Sequence, residues 1–175
     1  MSSSVQQALL NGFATHATAS TALPIDTYKA LFEESRHKIY SIAFWMTDNE
    51  VTAEDVSSTV FTRTFSRDIA SPEALVASLD ANLIAALREL MPIGMLTLET
   101  PITNSKRVFG NTKRVHLERA VVAVPATERI AFLLHDVESY DHARIANMLG
   151  ITEEESQEAV CQAKILIREL VSQML

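Results

Sequence analysis

Five histidines (His16, His37, His116, His135 and His142) and a single cysteine, Cys161, are the side chains best suited to catalysis or metal binding. They are scattered along the chain. No His-x-x-x-His pair places two imidazoles on one helical face. Only His135 and His142 are placed where they could meet in space. One cysteine excludes an internal disulfide framework and a Cys-based zinc site. No Gly-rich phosphate loop is present. No catalytic set can be assembled, so the chain is expected not to be an enzyme and to need no cofactor or metal. Binding chemistry remains. Lys106, Arg107, Lys113 and Arg114 form the densest basic cluster, which suits either a solvated loop or contact with nucleic acid or an acidic partner. Glu153, Glu154 and Glu155 are a run of the opposite sign.

The acidic run opens the second helix of a helix-turn-helix pattern. Such a motif needs a small residue where its helices cross, Gly at the turn, and apolar residues to dock the second helix. Ala146 and Gly150 fill the first two roles. The first docking position falls on Ser156, which is polar. Asp141 caps the first helix, which carries Ile145, Ala146 and Leu149. Thr152 with Glu155 makes a capping box for the second. Its expected core face is Val160, Ala163, Ile167, Leu170 and Met174, with Cys161 buried beside it.

Composition agrees with a helical frame. The chain has 175 residues, 47% of them hydrophobic, with four Gly and five Pro. Ala, Leu, Glu and Arg recur at helical spacing, so the expected fold class is all-α. The net charge of −7 disfavours non-specific nucleic-acid binding while permitting a local basic patch. No apolar run reaches the length of a membrane span, and the N-terminus lacks the pattern of a signal peptide. A cytoplasmic protein is expected.

The chain divides into a flexible tail (1–25), a three-helix unit (26–90), a linker (91–114) and a four-helix unit (115–175). A short helix is expected in the tail near Val5 to Phe13. Asp26 is expected to cap the first helix, with Tyr28, Leu31, Phe32, Ile39, Tyr40, Ala43 and Phe44 on its buried face and Trp45 in the core. Thr52 and Asp55 resemble a capping box for the second. Ser71-Pro72-Glu73 starts the third, which carries Leu75, Leu79, Leu83, Ile84 and Leu87. Pro92, Gly94, Pro101 and Gly110 interrupt the pattern in the linker. Pro125 separates the first two helices of the second unit.

Two sets of residues resemble bacterial RNA polymerase sigma factors of the extracytoplasmic-function type. Val124-Pro125, Phe132-Leu133-Leu134, Asp136-Val137-Glu138, Ile145-Ala146 and Leu149-Gly150-Ile151 are similar to that family's region four. Leu31-Phe32-Glu33-Glu34, Ile39-Tyr40, Ala43, Ala53-Glu54-Asp55-Val56, Phe61 and Arg63 are similar to its region two. The resemblance covers roughly Tyr28 to Leu170. It implies a region two that binds the clamp of core RNA polymerase and opens the minus-ten element. It implies a region four that reads the minus-thirty-five element. Polymerase contact would fall on Asp55, Ser58, Thr59, Phe61 and Arg63. DNA contact would fall on Thr152, Gln157, Ala159, Gln162, Lys164, Arg168 and, on the third helix, Arg88. Partners so implied are core polymerase, promoter DNA and an anti-sigma factor, with no membrane and no small-molecule substrate.

The sequence departs from the family where charge matters. Ser58 and Thr59 stand where Gln-Glu is usual. Leu75, Ala77, Ser78, Asp80 and Ala81 replace an aromatic and several arginines on the third helix. Glu155-Ser156-Gln157-Glu158-Ala159 stands where the recognition helix is usually basic. Lys and Arg drive DNA binding by releasing counterions, and Glu repels phosphate. Gln157 can hydrogen-bond adenine, but only Lys164 and Arg168 remain basic. Two functions are therefore expected: a sigma-like initiation factor, or a sigma-scaffold protein that regulates through protein contacts and binds DNA weakly or not at all.

Overall fold

The computed structural model describes residues 23–97 and 113–175, and among them the chain is all-α. The expected tail helix, Lys106 and Arg107 lie outside the described residues. We number the helices α1 (Ile25–Thr47), α2 (Glu50–Phe65), α3 (Pro72–Arg88), α4 (Arg114–Val122), α5 (Ala126–Phe132), α6 (His142–Leu149) and α7 (Glu153–Met174). A π-helical turn, Leu133–Val137, extends α5.

Local chemistry sets the helix ends, with two corrections to the sequence reading. Pro24, not Asp26, occupies the N-cap position of α1; Asp26 sits in the first turn, 3.6 Å from Lys29. Asn49, not Thr52, caps α2: its side chain accepts from the Thr52 backbone N–H at 2.9 Å. Asn is an efficient N-cap, so the helix starts a turn earlier than Thr52 implies. Ser71 caps α3 as expected, with Pro72 just inside. Asp48 ends α1 in the left-handed conformation.

The two helical units share one core. Ile39, Ala43 and Met46 of α1, Val56 and Val60 of α2 and Leu79, Leu83 and Leu87 of α3 pack in a single apolar cluster. The same cluster holds Ile130, Leu134, Ile145, Leu149 and Val160 of the second unit. Burying one such aliphatic side chain contributes about 1.5–3 kcal/mol, so the shared core binds the units strongly. A smaller cluster of Ala120, Val124, Ala163, Ile167 and Val171 joins α4 to α7. The start of the linker follows the second unit: Gly94 N–H donates to Thr127 Oγ1 at 3.1 Å and Thr97 N–H to Glu128 Oε1 at 2.6 Å.

Four side chains differ from expected burial, the first being Phe32, which α1 leaves exposed. Cys161 is exposed, because the buried stripe of α7 runs through Ser156, Ala159, Val160, Ala163, Ile167 and Val171 and leaves position 161 outside it. Met174 lies on the exposed end of the same helix. Trp45 is only partly buried and, with Phe44, walls an open cleft of about 590 Å³ against α4.

Candidate nucleic-acid interface

The helix-turn-helix is built by α6, Gly150 and α7. Gly150 adopts φ 69° and ψ 35°, and its N–H donates to Ala146 O at 2.8 Å. Only glycine takes this left-handed geometry without cost. Ile151 N–H donates to the same carbonyl at 3.1 Å. Ala146 is buried, as the close crossing requires. The Asp141 side chain caps α6 by accepting from the Arg144 N–H at 2.7 Å. Thr152 and Glu155 complete the capping box of α7 reciprocally, at 3.1 and 2.7 Å. The polar docking residue Ser156 is fully buried, and its hydroxyl meets His142 Nδ1 at 3.1 Å. That bond satisfies a hydroxyl where the motif expects an apolar side chain.

A cluster of titratable groups closes one side of the motif. The π-turn carries His135 and Asp136 over the start of α6 and the middle of α7. The His135 and His142 rings stack with centroids 4.4 Å apart and planes 17° apart. His135 Nδ1 lies 2.6 Å from Asp136 Oδ1, and Lys164 Nζ lies 2.7 Å from Asp136 Oδ2. Burial opposes ionisation of Asp136, but the hydrogen bonds from Lys164 and His135 outweigh it and hold the carboxyl below its usual range. Burial, helped by the neighbouring His135, pushes the His142 imidazole down. The pair thus meets in space, though among the described residues no set of three or more potential ligands gathers to hold a metal.

The residues expected to touch DNA do not form one surface. Thr152 and Gln157 are exposed near the start of α7, and Arg168 is exposed towards its end. Ala159 and Gln162 are buried, a correction that follows from their place on the core-facing stripe. Gln162 instead donates to Glu158 Oε1 at 2.7 Å. Lys164 is held by Asp136. Arg88 is turned to structure: its guanidinium donates to Leu149 O at 2.6 Å and to Ile93 O at 3.2 Å. Glu153, Glu154 and Glu158 remain exposed on the same end of α7 as Gln157.

The residues expected to touch polymerase lie along α2. Asp55 and Ser58 are exposed and Thr59 is half-buried. Phe61 is largely buried, stacking edge-on with Phe32 at 4.9 Å, and its rim lines an open groove of about 670 Å³ between α1 and α2. Ser58, Tyr40 and His37 line the same groove. Arg63 makes a two-point contact with Glu89 at 2.8 and 3.3 Å, which holds its pKa above and that of Glu89 below their ordinary values.

Sequence reasoning missed the groups that join the two units. Asp80 accepts hydrogen bonds from Tyr140 Oη at 3.1 Å and from Arg144 Nε at 3.0 Å, with a second contact to Arg144 Nη2. Lys38 Nζ donates to Tyr140 Oη at 2.8 Å. Arg129 donates to Trp45 O and Met46 O. The available signal was Asp80 itself, a carboxylate beside the apolar stripe of α3. A buried charge of that kind requires a partner.

Residues 114–166 match the family model for Sigma-70, region 4. The second unit is therefore similar to a sigma-70 region 4 domain. No curated protein matches the chain.

Proposed function

We propose that the protein is a sigma-like transcription initiation factor that binds core RNA polymerase and directs it to promoter DNA. The observation that carries this reading is the helix-turn-helix with Gly150 in the left-handed conformation, within the segment that matches Sigma-70, region 4. The groove beside Ser58 and Phe61 is the contact surface for polymerase in this reading. The mechanism is recruitment and promoter opening, with no covalent chemistry, and places the protein in the cytoplasm. Among the described residues no helix is long and apolar enough to cross a membrane. Capture of core polymerase by immobilised protein at low salt is the test. No capture would sink the proposal.

A second reading keeps the scaffold and changes the partner. The acidic face of Glu153, Glu154 and Glu158, the burial of Ala159 and Gln162 and the pairing of Lys164 favour it. Here the protein regulates through protein contacts, an anti-sigma factor among them, and binds DNA weakly. Fluorescence anisotropy with duplex DNA discriminates the two. Affinity that falls steeply with added salt supports direct promoter binding; no binding supports the second reading.

A further inference from the structure

Asp80 sits 5% exposed on α3, facing the second unit. Arg144 of α6 grips it through two nitrogens, and the Arg144 guanidinium carbon lies 3.7 Å from the centroid of the Tyr140 ring. Tyr140 Oη in turn donates to Asp80 and accepts from Lys38 of α1. Three charged or polar side chains from both units therefore converge on one carboxylate, Arg144 and Tyr140 directly and Lys38 through Tyr140. Two further arginines span the same boundary, Arg88 to the end of α6 and Arg129 to the end of α1.

We propose that the Asp80–Arg144–Tyr140 junction is an intramolecular latch that holds the chain in a closed form and covers the α3 surface that faces the second unit. In that form the helix-turn-helix cannot move away from α1–α3 to occupy a separate site. Arg144 remains partly exposed, and an open cleft of about 340 Å³ reaches the junction from solvent between Glu73, Ala77 and Asn147. The latch is thus reachable from solvent, and it adds to the aliphatic contacts that hold the two units together. Breaking a desolvated ion pair by removing one partner strands the other charge, so loss of Arg144 favours the open form.

The regulatory consequence rests on the sigma-like reading; the latch does not. Spin labels on the native exposed Cys161 and on an added cysteine at exposed Glu34 (Glu34→Cys) report the separation of the units by pulsed dipolar spectroscopy. The otherwise native protein gives one narrow distance. Arg144→Gln and Asp80→Asn each give a longer, broader distribution, with the open population raised on the order of tenfold. The charge swap Asp80→Arg with Arg144→Asp restores the narrow distance. Arg144→Gln alters a partly exposed residue and keeps the test alive if Asp80→Asn fails to fold, as judged by circular dichroism. An unchanged distance in folded Arg144→Gln, or a broad one before any change, overturns the latch. Core polymerase captured more readily by Arg144→Gln supports its regulatory role; equal capture by both forms overturns that role. Capture by neither sinks the sigma-like reading and leaves the latch standing.

Discussion

The Arg129 guanidinium caps the C-terminal end of α1, with one nitrogen 3.1 Å from Met46 O and 3.2 Å from Trp45 O. Those carbonyls belong to the last turn of a helix, where no further backbone N–H follows to satisfy them. Its Nε also donates to Val124 O at 3.0 Å. One side chain from α5 thus ties three carbonyls in two units. Burial lowers its pKa, opposed by Asp48, yet a guanidinium stays charged at neutral pH. Arg129→Gln should cost about 1–3 kcal/mol, because it strands part-buried acceptors. Urea unfolding should show one cooperative transition moved to lower denaturant. An unchanged midpoint would show that water satisfies those carbonyls as well as arginine does.

The turn residue makes a narrower prediction. Gly150 has open space around a hypothetical Cβ, the nearest atom being an Arg88 nitrogen at 3.9 Å. The penalty of Gly150→Ala is therefore conformational and should be about 1–2 kcal/mol. Gly150→Asn should cost less, since Asn tolerates the left-handed region. Thermal melts of the two variants check the order. Equal losses would mean that the backbone refolds around the turn.

Acid should weaken the fold through His142. Its pKa is lower in the fold than the ordinary 6.5. The unfolded chain then binds the proton more readily, so stability is complete above the unfolded value and falls as pH drops through it towards the folded one. Protonation would also add a cation beside His135 and Lys164. Asp136 behaves differently: its carboxyl is depressed below 3.8, so its contribution persists until strongly acidic pH. Denaturation midpoints measured from pH 8 to pH 5 should decline for the native protein and flatten for His142→Asn. A parallel decline in both would assign the effect to other groups.

What could be read in the sequence was local. Gly150, Ser71, Asp141 and the Thr152–Glu155 box act within four residues of themselves, so their spacing encodes their role. Asn49 escaped because Thr52 offered an equally plausible start. The interface residues were harder for a physical reason. Arg144 and Asp80, or Arg129 and Met46, lie far apart in sequence, and nothing in either segment specifies its partner. Ala159 and Gln162 illustrate the same limit at the candidate site. The family resemblance placed them among DNA contacts, while the packing of α7 against α5 and α6 turned them inward.

The charge on α7 decides between the two functional readings. Glu155 is engaged in the capping box, so reversing it would remove a helix cap worth about 0.5–2 kcal/mol and confuse affinity with stability. Glu154 is exposed and lies in the first turn, and Glu158 is exposed and bonded only to Gln162 among the described residues. Glu154→Lys with Glu158→Lys removes two charges that repel phosphate and adds two that release counterions. If this end of α7 faces DNA, affinity for duplex DNA at low salt should rise by at least about tenfold. The slope of log affinity against log salt should steepen by roughly 0.9 for each new phosphate contact. If the helix faces a protein instead, the substitutions should leave DNA binding absent and abolish capture of a basic partner. A rise in affinity without a steeper slope would contradict phosphate contact, because the gain would then have come from something other than counterion release.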